Sequence, residues 1–341
     1  MKGLLVLVAA CSAPATLPEL VNAEKLADRG DVDGAVAAYR EAQGRCKNLQ
    51  PARRAKQACA EALLGEGDVL ETHGRKDAAI ATYLSVPNRA ADDPTTAATA
   101  TYRAGKLLLE TGKTVDAWTA LWRVVTDWPD EALAADALET IVGDGRGRDA
   151  RALADQLNKL TKPLADTQVA DNLIWWLAQL NERELANPEA ARSLYDRIPK
   201  DYPNSGLRDD ARWFSAMLAK QLGDYKGAAL RLRALVATRE VSFGAGSYFS
   251  IWLDDAQLEL GKLLRDKLGD LPGAIAAFRK LPKDYPASIL RDDALYELAV
   301  TFDKAGKPTD ACRVLVELRK LSPDSKYRDE AGVLAASLKC P

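Results

Sequence analysis

One spacing recurs along this chain and limits what it can fold into: a glycine followed, five residues later, by an alanine. It is written GDVDGA (30–35), GRKDAA (74–79), GKTVDA (112–117), GRGRDA (145–150), GDYKGA (223–228), GDLPGA (269–274) and GKPTDA (306–311). An eighth copy, ANPEAA (186–191), carries Ala186 in the glycine place. The anchoring alanines are Ala35, Ala79, Ala117, Ala150, Ala191, Ala228, Ala274 and Ala311, and they follow one another at intervals of 33 to 46 residues. Self-similarity at such a period is the signature of a stacked-repeat architecture.

Each anchor sits between two helical patterns. Around the last copy, Leu295, Leu298, Ala299 and Phe302 fall at i, i+3, i+4 and i+7, one face of a helix. Downstream, Ala311, Leu315 and Leu318 mark the inner face of a second helix. Gly306 between them suits the left-handed position that ends a helix, and Pro308 falls where a new helix can begin. The small anchor lets the two helices approach closely. Each copy therefore reads as a helix–turn–helix hairpin. Strand formers in alternating runs are scarce, so the fold class is all-α.

The hairpin resembles the tetratricopeptide repeat. In that family a bulky residue follows the small anchor by four and a proline by twelve. Here Tyr39, Tyr83, Leu121, Tyr195, Leu232, Phe278 and Leu315 hold the bulky place, and Pro129, Pro203, Pro286 and Pro323 the proline place. The family's small residue in the first helix is Ala23, Gly67, Gly105, Ala216 and Ala299. The resemblance implies a right-handed α-solenoid of about eight helical hairpins plus a C-terminal capping helix over residues 20–341. Most intervals exceed the family's usual period by about one helical turn.

A longer phrase is written twice, IPKDYPNSGLRDDARW from 198 and LPKDYPASILRDDALY from 281. The proline disfavours helix in the residue before it, and the serine is placed to cap the next helix. Asp209, Asp210, Asp292 and Asp293 then lie in a first turn, where negative charge meets the positive end of the helix dipole. Asp254, Asp255, Asp329 and Glu330 repeat the theme. The paired acids are thus expected at helix ends rather than in a metal or acid–base site. The phrase also resembles outer-membrane TPR lipoproteins of the BamD and YbgF (CpoB) kind, periplasmic adaptors that hold partner proteins.

The N-terminus, MKGLLVLVAACSAP, resembles a bacterial lipoprotein signal, whose lipobox ends in Val8-Ala9-Ala10-Cys11. That resemblance implies a signal peptide over residues 1–10, a linker over 11–19 and acyl chains on Cys11, with Ser12 permitting outer-membrane sorting. An ordinary cleaved secretory signal and an apolar first helix of a cytosolic protein are the alternatives. Without Cys11 an even number of cysteines remains. Cys46 ends the second helix of the first repeat where Cys59 starts the next helix. Cys312 begins the last second helix and Cys340 ends the final one. The expected disulfides are Cys46–Cys59 and Cys312–Cys340, and the spacing fits no zinc pattern.

Charge is nearly balanced, 47 Lys plus Arg against 49 Asp plus Glu, so a nucleic-acid partner is not expected. The single histidine, His73, precedes a turn glycine and reads as a helix-end surface residue. Gly143-Asp144-Gly145-Arg146-Gly147 reads as a turn between two helices. Neither a cofactor nor a metal is expected.

Aligned on the turn glycine, the position ten residues before it is aromatic in four repeats: Tyr102, Trp176, Trp213 and Tyr296. Two readings stand for it, a lining of the groove formed by first helices and packing against neighbouring helices. The widest interval holds residues 237–252, where Phe243, Tyr248, Phe249 and Trp252 mark a candidate contact loop or a cover over the repeat ridge. The function expected is a lipid-anchored periplasmic scaffold, bound to the outer membrane through Cys11, that holds other envelope proteins in an assembly or envelope machine. The alternatives are a carboxylate-based cell-wall or glycan hydrolase and a cytosolic TPR adaptor.

Overall fold

The computed structural model describes residues 17–238 and 250–341. Among them every regular element is helical. Sixteen α-helices follow one another: α1 (Pro18–Asp28), α2 (Val32–Arg45), α3 (Ala52–Thr72), α4 (Lys76–Arg89), α5 (Pro94–Glu110), α6 (Thr114–Asp127), α7 (Leu133–Leu160), α8 (Ala170–Arg183), α9 (Pro188–Asp201), α10 (Arg208–Gln221), α11 (Tyr225–Val236), α12 (Leu253–Asp266), α13 (Leu271–Asp284), α14 (Arg291–Lys304), α15 (Pro308–Leu321) and α16 (Arg328–Ser337). No helix of the described residues is long and apolar enough to cross a membrane.

The recurring spacing makes the turns. Gly30, Gly74, Gly112, Gly223, Gly269 and Gly306 all have positive φ between 67° and 79°. Ala186, in the eighth copy, takes the same left-handed role at φ 49°. In four copies the residue after the turn caps the second helix with its side chain. Asp31, Asp224 and Asp270 accept from the backbone N–H three residues on, at 2.9 to 3.0 Å, and Asn187 does so at 3.3 Å. The alanine four residues past the cap is then fully buried in seven of the eight copies.

The copy at 145–150 departs from this pattern. α7 runs through Gly145, and its one non-helical residue is Asp149 (φ −149°, ψ 82°). The Asp149 carboxylate accepts from the Ala152 N–H at 2.9 Å, so the second helix is capped here. Four residues on stands Leu153, buried, whereas Ala150 is only partly so. The capping carboxylate, not the glycine, sets the register, and the expected turn over 143–147 is helix instead.

The chain divides into two compact units. The first runs to Gly145 and includes 164–170; the second holds 146–163 and everything from Asp171 onward. Within unit 1 each of α1 to α6 packs on the helix that follows or precedes it, and α1, α3 and α5 touch in turn. Unit 2 repeats the scheme from α9 to α16. In both, a small residue of the first helix faces the bulky residue of the second, as with Gly67 against Tyr83 and Gly261 against Phe278. The disulfides are Cys46–Cys59 and Cys312–Cys340, with Cα atoms 5.1 and 5.4 Å apart.

Candidate protein-binding surface

The joint between repeats in unit 2 is built by the doubled phrase. Ser288 Oγ accepts from the Leu290 N–H at 3.0 Å and donates to the Asp254 carboxylate of the preceding repeat at 2.6 Å. Ser325 does the same with Tyr327 N–H (3.1 Å) and Asp292 (2.7 Å). The serine therefore binds the N–H of the residue that opens the helix, two residues on, and not a donor inside it. Arg208 and Arg291 reach back to the carbonyls of Pro203 and Pro286, at 3.2 and 2.6 Å. Asp293 accepts from Lys326 Nζ and the Tyr327 hydroxyl, at 2.9 and 2.8 Å. Asp209 takes Arg208 and Arg212, and Asp210 takes the Trp252 indole N–H at 2.7 Å. These acids serve joints between repeats as well as helix ends.

The same register places the aromatic rings. First helices of unit 2 open at Leu207, Trp252, Leu290 and Tyr327. The residue six positions further on faces the opening residue of the next repeat that carries a ring there. Trp213 stacks on Trp252 with centroids 5.0 Å apart and planes at 10°. Tyr296 stacks on Tyr327 at 4.4 Å and 9°. Offset stacking of this kind contributes beyond the area it buries. Both rings of each pair are half-buried, with part of their surface accessible.

Trp176 and, in unit 1, Tyr102 are half-buried as well, and no ring stacks on either among the described contacts. Their neighbours in sequence carry the packing. Trp175 meets Tyr195 and Phe214 edge-on at 5.3 and 5.6 Å, and Phe214 meets Trp252 at 5.9 Å. Trp175, Phe214 and Tyr327 were not singled out from the sequence. The doublets Trp175-Trp176 and Trp213-Phe214 were the available signal, since adjacent helical positions point to different sides. Cys11, Phe243, Tyr248 and Phe249 lie outside the described residues.

Carboxylates and cations share this face: Asp293 pairs with Lys326, whose Nζ lies over the Tyr327 ring, and Glu297 pairs with Arg265 and Lys262. Burial first, then Glu330 and Glu297, pushes the Tyr296 hydroxyl up. Burial and then the hydrogen bond to Asp293 push Tyr327 up as well. Burial, with Asp254 beside it, raises the Asp255 carboxyl. Among the described residues no group of three or more His, Cys, Asp or Glu side chains is arranged to hold a metal ion. His73 ends α3 with Nδ1 2.8 Å from the Val69 carbonyl oxygen.

The hairpins, their turn glycines and their small-against-large packing define a class, and family comparison gives the same one. A model of the tetratricopeptide repeat matches residues 173–205, 255–288 and 293–325, and a second model of that repeat matches 23–94, together about half of the chain. The chain belongs to the tetratricopeptide repeat proteins, whose repeats serve protein–protein interaction. Similar solved structures include the C-terminal part of a TPR repeat-containing protein from Cytophaga hutchinsonii, at 15% identity over 81% of this chain and 99% of that one, TM-score 0.45. A tetratricopeptide repeat protein from Parabacteroides merdae matches at 14% identity over 93% and 97%, TM-score 0.29. YrrB, described as a TPR protein with an unusual peptide-binding site, matches at 14% over 75% and 97%, TM-score 0.37. No curated protein sequence matches the chain.

Proposed function

We propose that this protein is a lipid-anchored scaffold on the periplasmic face of a bacterial outer membrane, holding envelope proteins through the first-helix face of unit 2. The observation that carries the binding role is the recurrence of half-exposed aromatic pairs, Trp213 on Trp252 and Tyr296 on Tyr327, at one register of two joints, α10 to α12 and α14 to α16. Stacking holds each ring in place before a partner arrives, so little side-chain freedom is lost on binding. The rings define the partner as a segment with apolar side chains. The Val-Ala-Ala-Cys stretch and the likeness of the doubled phrase to BamD and YbgF (CpoB) proteins support the location. Asp209, Asp210, Asp254, Asp292 and Asp293 are engaged by serine, arginine, lysine, tyrosine and tryptophan side chains of the repeat joints, which speaks for architecture over a hydrolytic carboxylate pair.

Trp213→Ala and Tyr296→Ala test the reading. Each is expected to weaken capture of crosslinked envelope partners by about 1–2 kcal/mol, a usual cost for an aromatic anchor. Melting curves on the same variants separate binding from folding. Capture equal to wild type, or lost only in proportion to unfolding, overturns the reading.

A further inference from the structure

Between Glu41 and Glu61 the chain carries Arg45, Lys47, Arg53, Arg54 and Lys56 and no acid, although the whole chain is nearly balanced in charge. The Cys46–Cys59 disulfide closes this stretch into a loop. Lys47, Ala52, Ala55, Lys56 and Cys59 line one open cavity of about 340 Å³ with Asp92 and Asp93 on its other wall, so the turn after α2 and the start of α3 are side by side. Two of the cations are already paired: Arg45 with Glu19 and Glu41, and Lys56 with Asp93 at 3.3 Å. Lys47, Arg53 and Arg54 are exposed, and no carboxylate among the described residues pairs with them.

This arrangement breaks a rule the same chain keeps elsewhere. α10, α12, α14 and α16 each put two acids in the first turn, where the positive end of the helix dipole favours them. α3 has no acid there; it has Arg53 and Arg54, behind a Pro51 cap that offers no side-chain acceptor. Cations at that end add to the helix's own positive potential and work against folding. A local rule broken on an exposed, cross-linked loop points to a ligand outside the chain, and the ligand must be anionic.

Its place in the fold narrows the choice. Arg45 bonds Glu19 in the first turn of α1, and Leu17 and Cys46 share one core. The loop therefore flanks the point where the chain enters unit 1. Cys11 lies six residues before Leu17, at most ~20 Å of extended chain. We propose that the Cys46–Cys59 loop docks on an anionic phospholipid surface through Lys47, Arg53 and Arg54, and so orients unit 1 on the bilayer. The location rests on the lipid-anchored reading; the attraction itself does not need the anchor.

The test uses the full-length Cys11→Ala protein, which cannot carry the lipid, with vesicles of phosphatidylcholine alone or doped with phosphatidylglycerol. Sedimentation is expected with the anionic vesicles only. Binding should fade as salt shortens the Debye length from about 10 Å at 0.1 M to about 3 Å at 1 M. Adding Lys47→Glu, Arg53→Glu and Arg54→Glu is expected to cut partitioning by on the order of 100-fold or more, since each cation near such a surface contributes about fivefold. Circular dichroism reports that the fold is kept, and the three glutamine substitutions give a milder version of the same loss. Equal binding to both vesicle types, unchanged binding of the glutamate variant, or no binding of folded protein overturns the proposal. So does tighter retention on duplex DNA than on anionic vesicles at equal ionic strength. Fractionation of wild type against Cys11→Ala in cells reads the anchor separately, so the anchor reading can fail while the vesicle result stands.

Discussion

Gly261 shows how little room the hairpin leaves. A Cβ at this position would stand 2.4 Å from the Phe278 ring, which is fully buried and has nowhere to swing. Overpacking of this kind costs about 1–3 kcal/mol, more than the ~1 kcal/mol that alanine gains over glycine in a helix. Gly261→Ala is therefore expected to lower stability by up to about 2 kcal/mol. Gly332 in α16 has nothing within 4 Å, and Gly332→Ala should raise stability by up to ~1 kcal/mol. Urea titrations of both variants check the pair, and a stabilising Gly261→Ala would sink the packing argument. Close to Phe278, Arg265 is nearly buried and donates to Asp266 at 2.8 Å, with Lys304 adding a bond to Asp266 at 3.2 Å. Chiefly the Arg265 hydrogen bond holds the Asp266 carboxyl at about 2, below the ordinary 3.8. A depressed carboxyl stabilises the fold above the unfolded value and ceases to as pH falls through the folded one. Asp266→Asn should thus be less stable than wild type at neutral pH, the gap closing between pH 3.8 and about 2. Denaturation midpoints across that window read the effect, and a gap independent of pH would refute it. Single positions of this sort were legible when partners lie within one hairpin, as with Ala216 or Gly67. Trp252 and Tyr327 were not legible as partners of Trp213 and Tyr296, because those contacts join different repeats whose spacing varies.

At the scale of the element, α16 is the exposed end of unit 2. None of its residues is fully buried. It is held by the Tyr296–Tyr327 stack, by Ser325 on Asp292 and by Cys340 bonded to Cys312 on α15. The bridge spans 28 residues. A loop of that length corresponds to about 3–4 kcal/mol in the chain-entropy model. Cys340→Ser is therefore expected to speed hydrogen exchange in α16 to the level of a fraying end while α12 and α13 keep their protection. Undiminished protection of α16 would mean that packing alone holds the cap. That α16 starts as a first helix was readable because the acidic first turn of α10, α12 and α14 recurs at Asp329 and Glu330. The course of α7 was not. Three glycines at 143, 145 and 147 mimic a turn, but a carboxylate three residues before a free N–H competes better for the helix start.

Taken whole, the architecture was legible because stacked repeats write one packing solution many times, and a signal too weak in one copy becomes strong in eight. The division near Gly145 was not, since it follows from which helices touch and no sequence period marks it. Within unit 2 the joint between repeats has a further consequence. Ser288 binds Asp254 as Ser325 binds Asp292, so the front of each such repeat fits the rear of the one before it. The phrase is a ready cut-and-join point for the gene. Unequal recombination between its two copies adds or removes a block of two repeats, and a duplication again sets a phrase serine behind Asp254. Array length is then free to drift over generations while the joint stays the same.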